Sequence, residues 1–265
     1  MRLSLIVLGQ YSGIALGSTL MLAGVLRNRL HPKRFYFIRH GQSLLNLQHI
    51  RQGSEGALSP KGRAQAERTG SYLAQYPIER IYSSPYERAR ETANIVERFI
   101  HAPITYTPLF AERRNPSEVV GRSYDDPIVV HISEIMDRTY HDDSFRYSDE
   151  ENFLDIRARA AECLKMLERQ PAHEACVITH RFFIKMLISY LLYRENLHST
   201  DYVKLSFFNQ SDNACITVCE YRPWHPFSPT KGWRVLAYNI RPPENVSTEK
   251  APESCADPVP IPSGA

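Results

Sequence analysis

The residues with the most chemical potential in this sequence are Arg39 and His40, set side by side after the run Phe35-Tyr36-Phe37-Ile38. Four bulky apolar residues in succession read as a buried strand. Arg39 and His40 then leave that strand at its carboxyl end, into a turn with Gly41. In open α/β sheets this is the edge where ligands bind. A guanidinium beside an imidazole suits an anionic substrate, with the Arg gripping oxygens and the His carrying the chemistry. Three further groups join them. Ala175-Cys176-Val177-Ile178-Thr179 is a second buried strand that ends in a histidine, His180. Ser83-Ser84-Pro85-Tyr86-Glu87-Arg88 opens a helix, with Ser84 as the expected N-cap, Pro85 at N1 and Glu87 completing a capping box. Helix N-termini attract anions, and Arg88 sits on that first turn. Glu112 is an isolated acid after a third strand, Ile104 to Thr107. Taken singly, Arg88 reads equally as a surface helix residue, Glu112 as a solvated loop acid and His180 as a hydrogen-bonded strand-end histidine. Their convergence favours a site.

These residues must be positioned by alternating strands and helices. Ser59-Pro60 caps and opens a helix running to about Gln75, and Ile78 to Tyr82 is a short strand. The helix bearing Arg88 continues to about Phe99, and Asn152 to Arg169 shows an apolar face at helical spacing. Phe182 to Leu191 is a largely buried helix, while Tyr202 to Phe208, Ala214 to Tyr221 and Trp233 to Ile240 read as three late strands. The pattern predicts a three-layer α/β/α sandwich with a mostly parallel central sheet over residues 34–241. Residues 113–150 lack clean periodicity and are expected to form a lid insertion over the site. No internal repeat is evident.

Composition sets outer limits. The 265 residues are 43% hydrophobic and 23% charged, with a net charge of +3, too small to argue for nucleic acid. Residues 112–151 hold eleven Asp and Glu against five Arg, about −6, which leaves about +9 elsewhere. Five cysteines without a CxxC pair favour reduced thiols over a disulfide framework or zinc site. Leu3 to Leu26 is uncharged and long enough to cross a bilayer. With Arg27, Arg29, Lys33 and Arg34 following, the expectation is a single-pass membrane anchor in residues 1–33, with the domain facing the cytoplasm. A cleaved signal peptide and a soluble or partly buried segment are the alternatives, the latter leaving a cytoplasmic protein. Residues 242–265, with six prolines, read as a disordered tail.

Several stretches together carry a family resemblance. Arg39-His40-Gly41-Gln42-Ser43-Leu44-Leu45-Asn46 resembles the RHG-[EQ]-[ST]-x-x-N motif of the histidine phosphatase superfamily, also called the phosphoglycerate mutase-like family. Leu58-Ser59-Pro60-Lys61-Gly62-Arg63-Ala64-Gln65-Ala66 is similar to its L-[ST]-x-x-G-x-x-Q-A helix start. Tyr82-Ser83-Ser84-Pro85 through Arg88-Ala89 to Thr92-Ala93 resembles its S-S-P-x-x-R-A-x-x-T-A motif, and Glu151-Asn152 to Arg159 echoes its E-[SN]…R helix. The likeness spans residues 34–240 in the family's order. It implies that His40 attacks phosphorus and forms a phosphohistidine. Arg39, Arg88 and His180 would hold the phosphoryl oxygens, with Asn46 and Ser43 adding neutral hydrogen bonds. Glu112 would protonate the leaving alkoxide and then activate water. No metal or other cofactor is implied. One position departs from the pattern: Arg181 stands where the family has glycine after its second histidine, where it could crowd the phosphate, point outward or add a further cation.

The resemblance favours the phosphatase branch. The mutase branch carries a Trp-containing stretch after its RHG motif, and Asn46-Leu47-Gln48-His49 has none. The acidic 113–150 segment argues further against a grip on a second phosphate. The expected activity is a phosphomonoester phosphatase acting on a small phosphorylated metabolite or a phosphoprotein, with a hint of a ligand bearing one phosphate and a neutral or cationic body. The alternatives are a mutase-type phosphotransferase and a membrane-tethered, inactive phospholigand-binding module. His31, His49, His101, His173 and His198 read as surface residues, and His131 and His141 as residues of the insertion.

Overall fold

The computed structural model describes residues 31–223 and 232–244. The expected anchor at residues 3–26 and nearly all of the expected tail lie outside these residues. Among the described residues no helix is long and apolar enough to cross a membrane.

Six strands form one sheet: β1 (Lys33–Arg39), β2 (Arg80–Ser83), β3 (Ile104–Tyr106), β4 (Glu174–Thr179), β5 (Ile216–Arg222) and β6 (Gly232–Ile240). Their spatial order is β3-β2-β4-β1-β5-β6. The first four are mutually parallel, and β5 and β6 add antiparallel at the β1 edge. The central strand β1 is buried on both faces, which is why its sequence runs apolar without alternation. Phe35 and Phe37 point into one core with Ala175 and Val177, while Tyr36 and Ile38 point into the other with Cys176 and Ile178.

Helices close both faces. On the Phe35 side lie α5 (Phe153–Arg169) and α6 (Arg181–Tyr193); on the Tyr36 side lie α2 (Pro60–Leu73) and α3 (Glu87–Ile100). Ser59 caps α2 as expected, its Oγ accepting from Gly62 N at 3.0 Å. A one-turn helix, α1 (Leu44–Leu47), follows the β1 turn. Within the insertion, α4 (Pro127–Arg138) packs on a 3-10 turn at Ser117–Val119 through Val119, Val129 and Ile132. Backbone bonds from Arg51 N to Arg122 O (2.8 Å) and Gly121 N to Arg51 O (2.9 Å) dock the insertion on the loop after α1. The free cysteines Cys163, Cys176, Cys215 and Cys219 are all buried.

Two local expectations fail. Tyr202 to Phe208 is not a strand but α7 (Ser199–Lys204) followed by a 3-10 turn at Ser206–Asn209. The β-prone aromatics there do not alternate in burial: Val203 and Phe207 are exposed while Tyr202 packs on Phe182, so tertiary contact overrides local propensity. The capping box at Ser84 is also absent. Helix α3 starts two residues later, with Tyr86 at the N-cap and no side-chain cap. Glu87 instead accepts from Gly56 N at 2.8 Å, and Ser84 serves the site.

Candidate active site

The β1 turn delivers His40 with its ring already oriented. Nδ1 lies 2.7 Å from Gly41 O, which can only accept, so Nδ1 carries the proton. Arg88 Nε–H, which can only donate, lies 3.3 Å from Nε2. Both contacts select the tautomer whose Nε2 is unprotonated and accepts from Arg88. Burial, and next the Arg88 and Arg39 guanidiniums, hold the His40 pKa well below its ordinary value, so the ring is neutral at neutral pH. A neutral imidazole with an unprotonated Nε2 has the lone pair that nucleophilic attack requires.

The surrounding groups come from separate elements. Arg88, on the first turn of α3, donates through Nη1 to Gly53 O at 2.9 Å. Arg39 donates to Ser211 O at 2.5 Å, and its Nε is buried without a partner. Burial, then Arg181, lowers the Arg39 pKa to about 10, which leaves it charged. His180 stands at the N-cap position of α6, without a side-chain capping bond, its ring centroid 5.1 Å from that of His40. Its pKa too is held well below the usual value, by burial first and Arg88 next, so His180 is a neutral imidazole in the free site.

Glu112 reaches the same cavity from the loop after the 3-10 turn Pro108–Phe110. Its carboxylate accepts from Arg113 N at 3.1 Å and Phe182 N at 3.3 Å. The loop is clamped from behind: Arg159 on α5 donates to Ala111 O at 2.7 Å and Leu109 O at 3.2 Å while forming a two-armed bond to Glu151, 2.8 Å on each arm. The Glu151…Arg159 pair thus holds the loop that carries Glu112. A bidentate Arg–carboxylate pair is among the better-defined side-chain contacts.

Asn46 and Arg181 line the cavity with His40, Arg39, Arg88 and Glu112; its volume is about 570 Å³. Arg181 is exposed and forms no hydrogen bond or ion pair among the described residues. Ser43 is not in the cavity. Fully buried, it caps α1, accepting from Asn46 N at 3.1 Å and donating to Gln52 Oε1 at 2.8 Å.

Three positioning residues escaped the sequence reading. Ser84 Oγ lies 2.8 Å from His180 Nε2. Thr92 Oγ1 accepts from Gly41 N at 3.1 Å and donates to Arg88 O at 2.7 Å, tying the two basic elements together. Asn213 Nδ2 donates to His40 O at 3.0 Å, and no local pattern marks it. The first two sit inside the quoted motifs, but only the packing of α3 against β1 and β4 shows what they do.

Residues 35–233 match the histidine phosphatase superfamily (branch 1), and the chain belongs to that family. An uncharacterized phosphatase of Bacillus subtilis is 28% identical over 206 residues, covering 77% of this chain and 92% of its own. A broad-specificity phosphatase of Saccharomyces cerevisiae is 27% identical over 198 residues, covering 71% and 79%. Among solved structures, a mycobacterial glucosyl-3-phosphoglycerate phosphatase superposes with a TM-score of 0.64 at 20% identity, covering 79% of this chain and 99% of that one, a likeness of fold.

Proposed function

We propose that this protein is a phosphomonoester phosphatase that works through a phosphohistidine at His40 Nε2. The observation that carries the reading is the double constraint on the His40 ring. Nδ1–H is spent on Gly41 O, and Nε2 is unprotonated, facing a guanidinium. The phosphatase names of the curated relatives support the reaction class.

In this reading Nε2 attacks phosphorus as the ester oxygen leaves, and Arg39 and Arg88 balance the charge on the equatorial oxygens. Ser84 Oγ already accepts from Tyr86 N, so its own proton is available to His180 Nε2. His180 Nδ1, buried and otherwise unpartnered, then offers its N–H to a phosphoryl oxygen. The dianion would raise the pKa of His180 and allow it to charge when substrate is bound. Glu112 gives its proton to the leaving alkoxide, then takes one from the water that hydrolyses the phosphohistidine. The positive groups are all side chains of this chain, so the reaction is written without a metal.

The test is hydrolysis of p-nitrophenyl phosphate by the full chain, with and without EDTA, beside His40→Ala. Turnover that survives chelation and is lost in the variant, with acid-labile, alkali-stable phosphate trapped on His40 during turnover, is the expected result. Undiminished turnover by His40→Ala overturns the assignment.

A further inference from the structure

The loop before β5 wraps the main chain of Arg39 and His40. Ala214 N donates to Arg39 O at 2.9 Å, Asn213 Nδ2 donates to His40 O at 3.0 Å, and the Arg39 guanidinium donates to Ser211 O at 2.5 Å. The place of the Ser211 carbonyl therefore sets where the guanidinium lies. Asp212 holds this loop. Its Oδ2 accepts from Asn239 Nδ2 at 3.1 Å and from Arg241 Nε at 2.7 Å, with Arg241 Nη2 2.6 Å away. Its N–H donates to Asn239 Oδ1 at 2.9 Å, so Asn239 meets both the main chain and the side chain of Asp212. Two left-handed residues belong to the same cluster, Ala214 at φ 58° and Asn239 at φ 55°. That conformation is uncommon for alanine and persists where the surroundings fix it. Thr69 Oγ1, on α2, helps to fix it by donating to Ala214 O at 2.7 Å.

Folding stability gives little reason for this cluster. The side chains of Arg241 and Asp212 are 76% and 45% exposed, and ion pairs so exposed contribute little to folding. Asp212 does not line the cavity that holds His40. Its charge does reach Arg39: burial and then Arg181 lower the Arg39 pKa, and Glu112 and Asp212 are the carboxylates that act in the opposite sense. Resting on the phosphatase reading of the site, we infer that Asp212 is a positioning residue for the reaction. It holds residues 211–214 so that Ser211 O keeps the Arg39 guanidinium on the phosphoryl oxygens and Asn213 fixes the main chain of His40. It touches neither substrate nor reacting atoms and acts through Arg39. Loss of its carboxylate releases Asn239 and Arg241 together and lets the loop shift. A displaced guanidinium then balances less of the charge that develops in the transition state, so the effect falls on kcat more than on KM.

The experiment is a double-mutant cycle on the full chain, with Asp212→Ala made alone and in an Arg39→Ala background. On p-nitrophenyl phosphate, Asp212→Ala alone should lower kcat about tenfold and move KM by less than about twofold. In Arg39→Ala the same substitution should cost less than about twofold, because the group through which it acts is gone. Asp212→Asn keeps an oxygen for Asn239 and Arg241 and should recover most of the rate. Where Asp212→Ala fails to fold, Arg241→Ala, on an exposed side chain, carries the same cycle at smaller amplitude. Equal losses in the two backgrounds, or wild-type kcat in Asp212→Ala, overturn the inference. Vanadate binding by calorimetry to the same proteins reads the cycle without turnover. An affinity lowered by Asp212→Ala only where Arg39 is present, in a protein whose wild type hydrolyses nothing, would retain the positioning role and discard the phosphatase. Unchanged affinity and kcat beside active wild type would do the reverse.

Discussion

Gly41 and Gly62 meet backbone to backbone. A Cβ on Gly41 would lie 2.4 Å from Gly62 O, and one on Gly62 would lie 2.0 Å from Gln42 O. The two glycines stand in separate motifs, one in the turn after β1 and one in the first turn of α2, and the backbone of the opposite segment fills the place a side chain would take on either. Their approach fixes the height of the His40 turn against α2, and Gln65 Oε1 adds a bond from Gln42 N at 3.0 Å. Gly62→Ala is expected to cost about 1–3 kcal/mol, the range for overpacking a closed site. It should also lower kcat, because the turn can relieve the clash only by moving. Denaturant midpoints and p-nitrophenyl phosphate kinetics on one preparation check both effects; a stable, fully active Gly62→Ala would refute the account.

Removing the acid should depend on the leaving group. Glu112→Gln cannot protonate an alkoxide, so hydrolysis of an alkyl phosphate should fall by about 10²–10⁴. p-Nitrophenolate leaves without help and should lose far less. Arg159→Met, which frees the Glu112 loop without touching substrate, should show the same leaving-group asymmetry at smaller amplitude. An equal loss on both substrates would mean that Arg159 is needed only for folding.

Acid pH should act on His40 in a defined direction. Its pKa and that of His180 are held well below the ordinary 6.5, chiefly by burial, so both are neutral in the free protein. The acid limb of kcat/KM, which reports the free enzyme, should therefore lie below pH 6.5. Stability follows the same sign. The unfolded chain takes up these protons below pH 6.5 and the folded chain does not, so stability is lost as pH falls below that value. Each histidine contributes up to about 1.4 kcal/mol per pH unit until its folded pKa is reached. Vanadate in the site should shrink this loss for His180 by favouring its charged form. Denaturation midpoints between pH 7 and 5, with and without vanadate, provide the measurement.

Ser84→Ala should separate positioning from packing. It leaves His180 Nε2, now paired at 2.8 Å, without a partner in a fully buried place. The expected cost is about 1–3 kcal/mol. The His180 ring should also lose its fixed tautomer, giving a fall of about tenfold in kcat/KM, equivalent to about 1.4 kcal/mol. Unchanged kinetics would show that Ser84 is only a structural hydroxyl.

The sequence alone was enough for the α/β class and for the six strands that form the sheet. The unbroken apolar run of β1 and the basic pair after it are local facts, and strand ends place their last residues at one edge whatever the details above them. The positions of Arg39, His40 and His180 follow from that rule, whereas Arg88 lies on the first turn of α3 and Glu112 in the loop after a 3-10 turn. What it could not show depends on contacts between distant segments. Ser84 looks like a helix cap because its neighbours permit one; only the arrival of His180 from β4 gives its hydroxyl another use. Ser43 looks like a ligand for phosphate because it stands three residues from His40, yet the turn sends it inward to cap α1. Tyr202 to Phe208 is rich in β-formers, but packing against Phe182 and Tyr238 folds it as helix and turn. The charge of the lid shows the same limit most clearly. A segment of net −6 by composition brings Arg113 to the cavity that holds His40 but none of its acids other than Glu112, while Asp137, Asp142 and Glu150 line the neighbouring cavity that Arg113 also borders, because net charge sums over residues while a cavity responds to the few that face it.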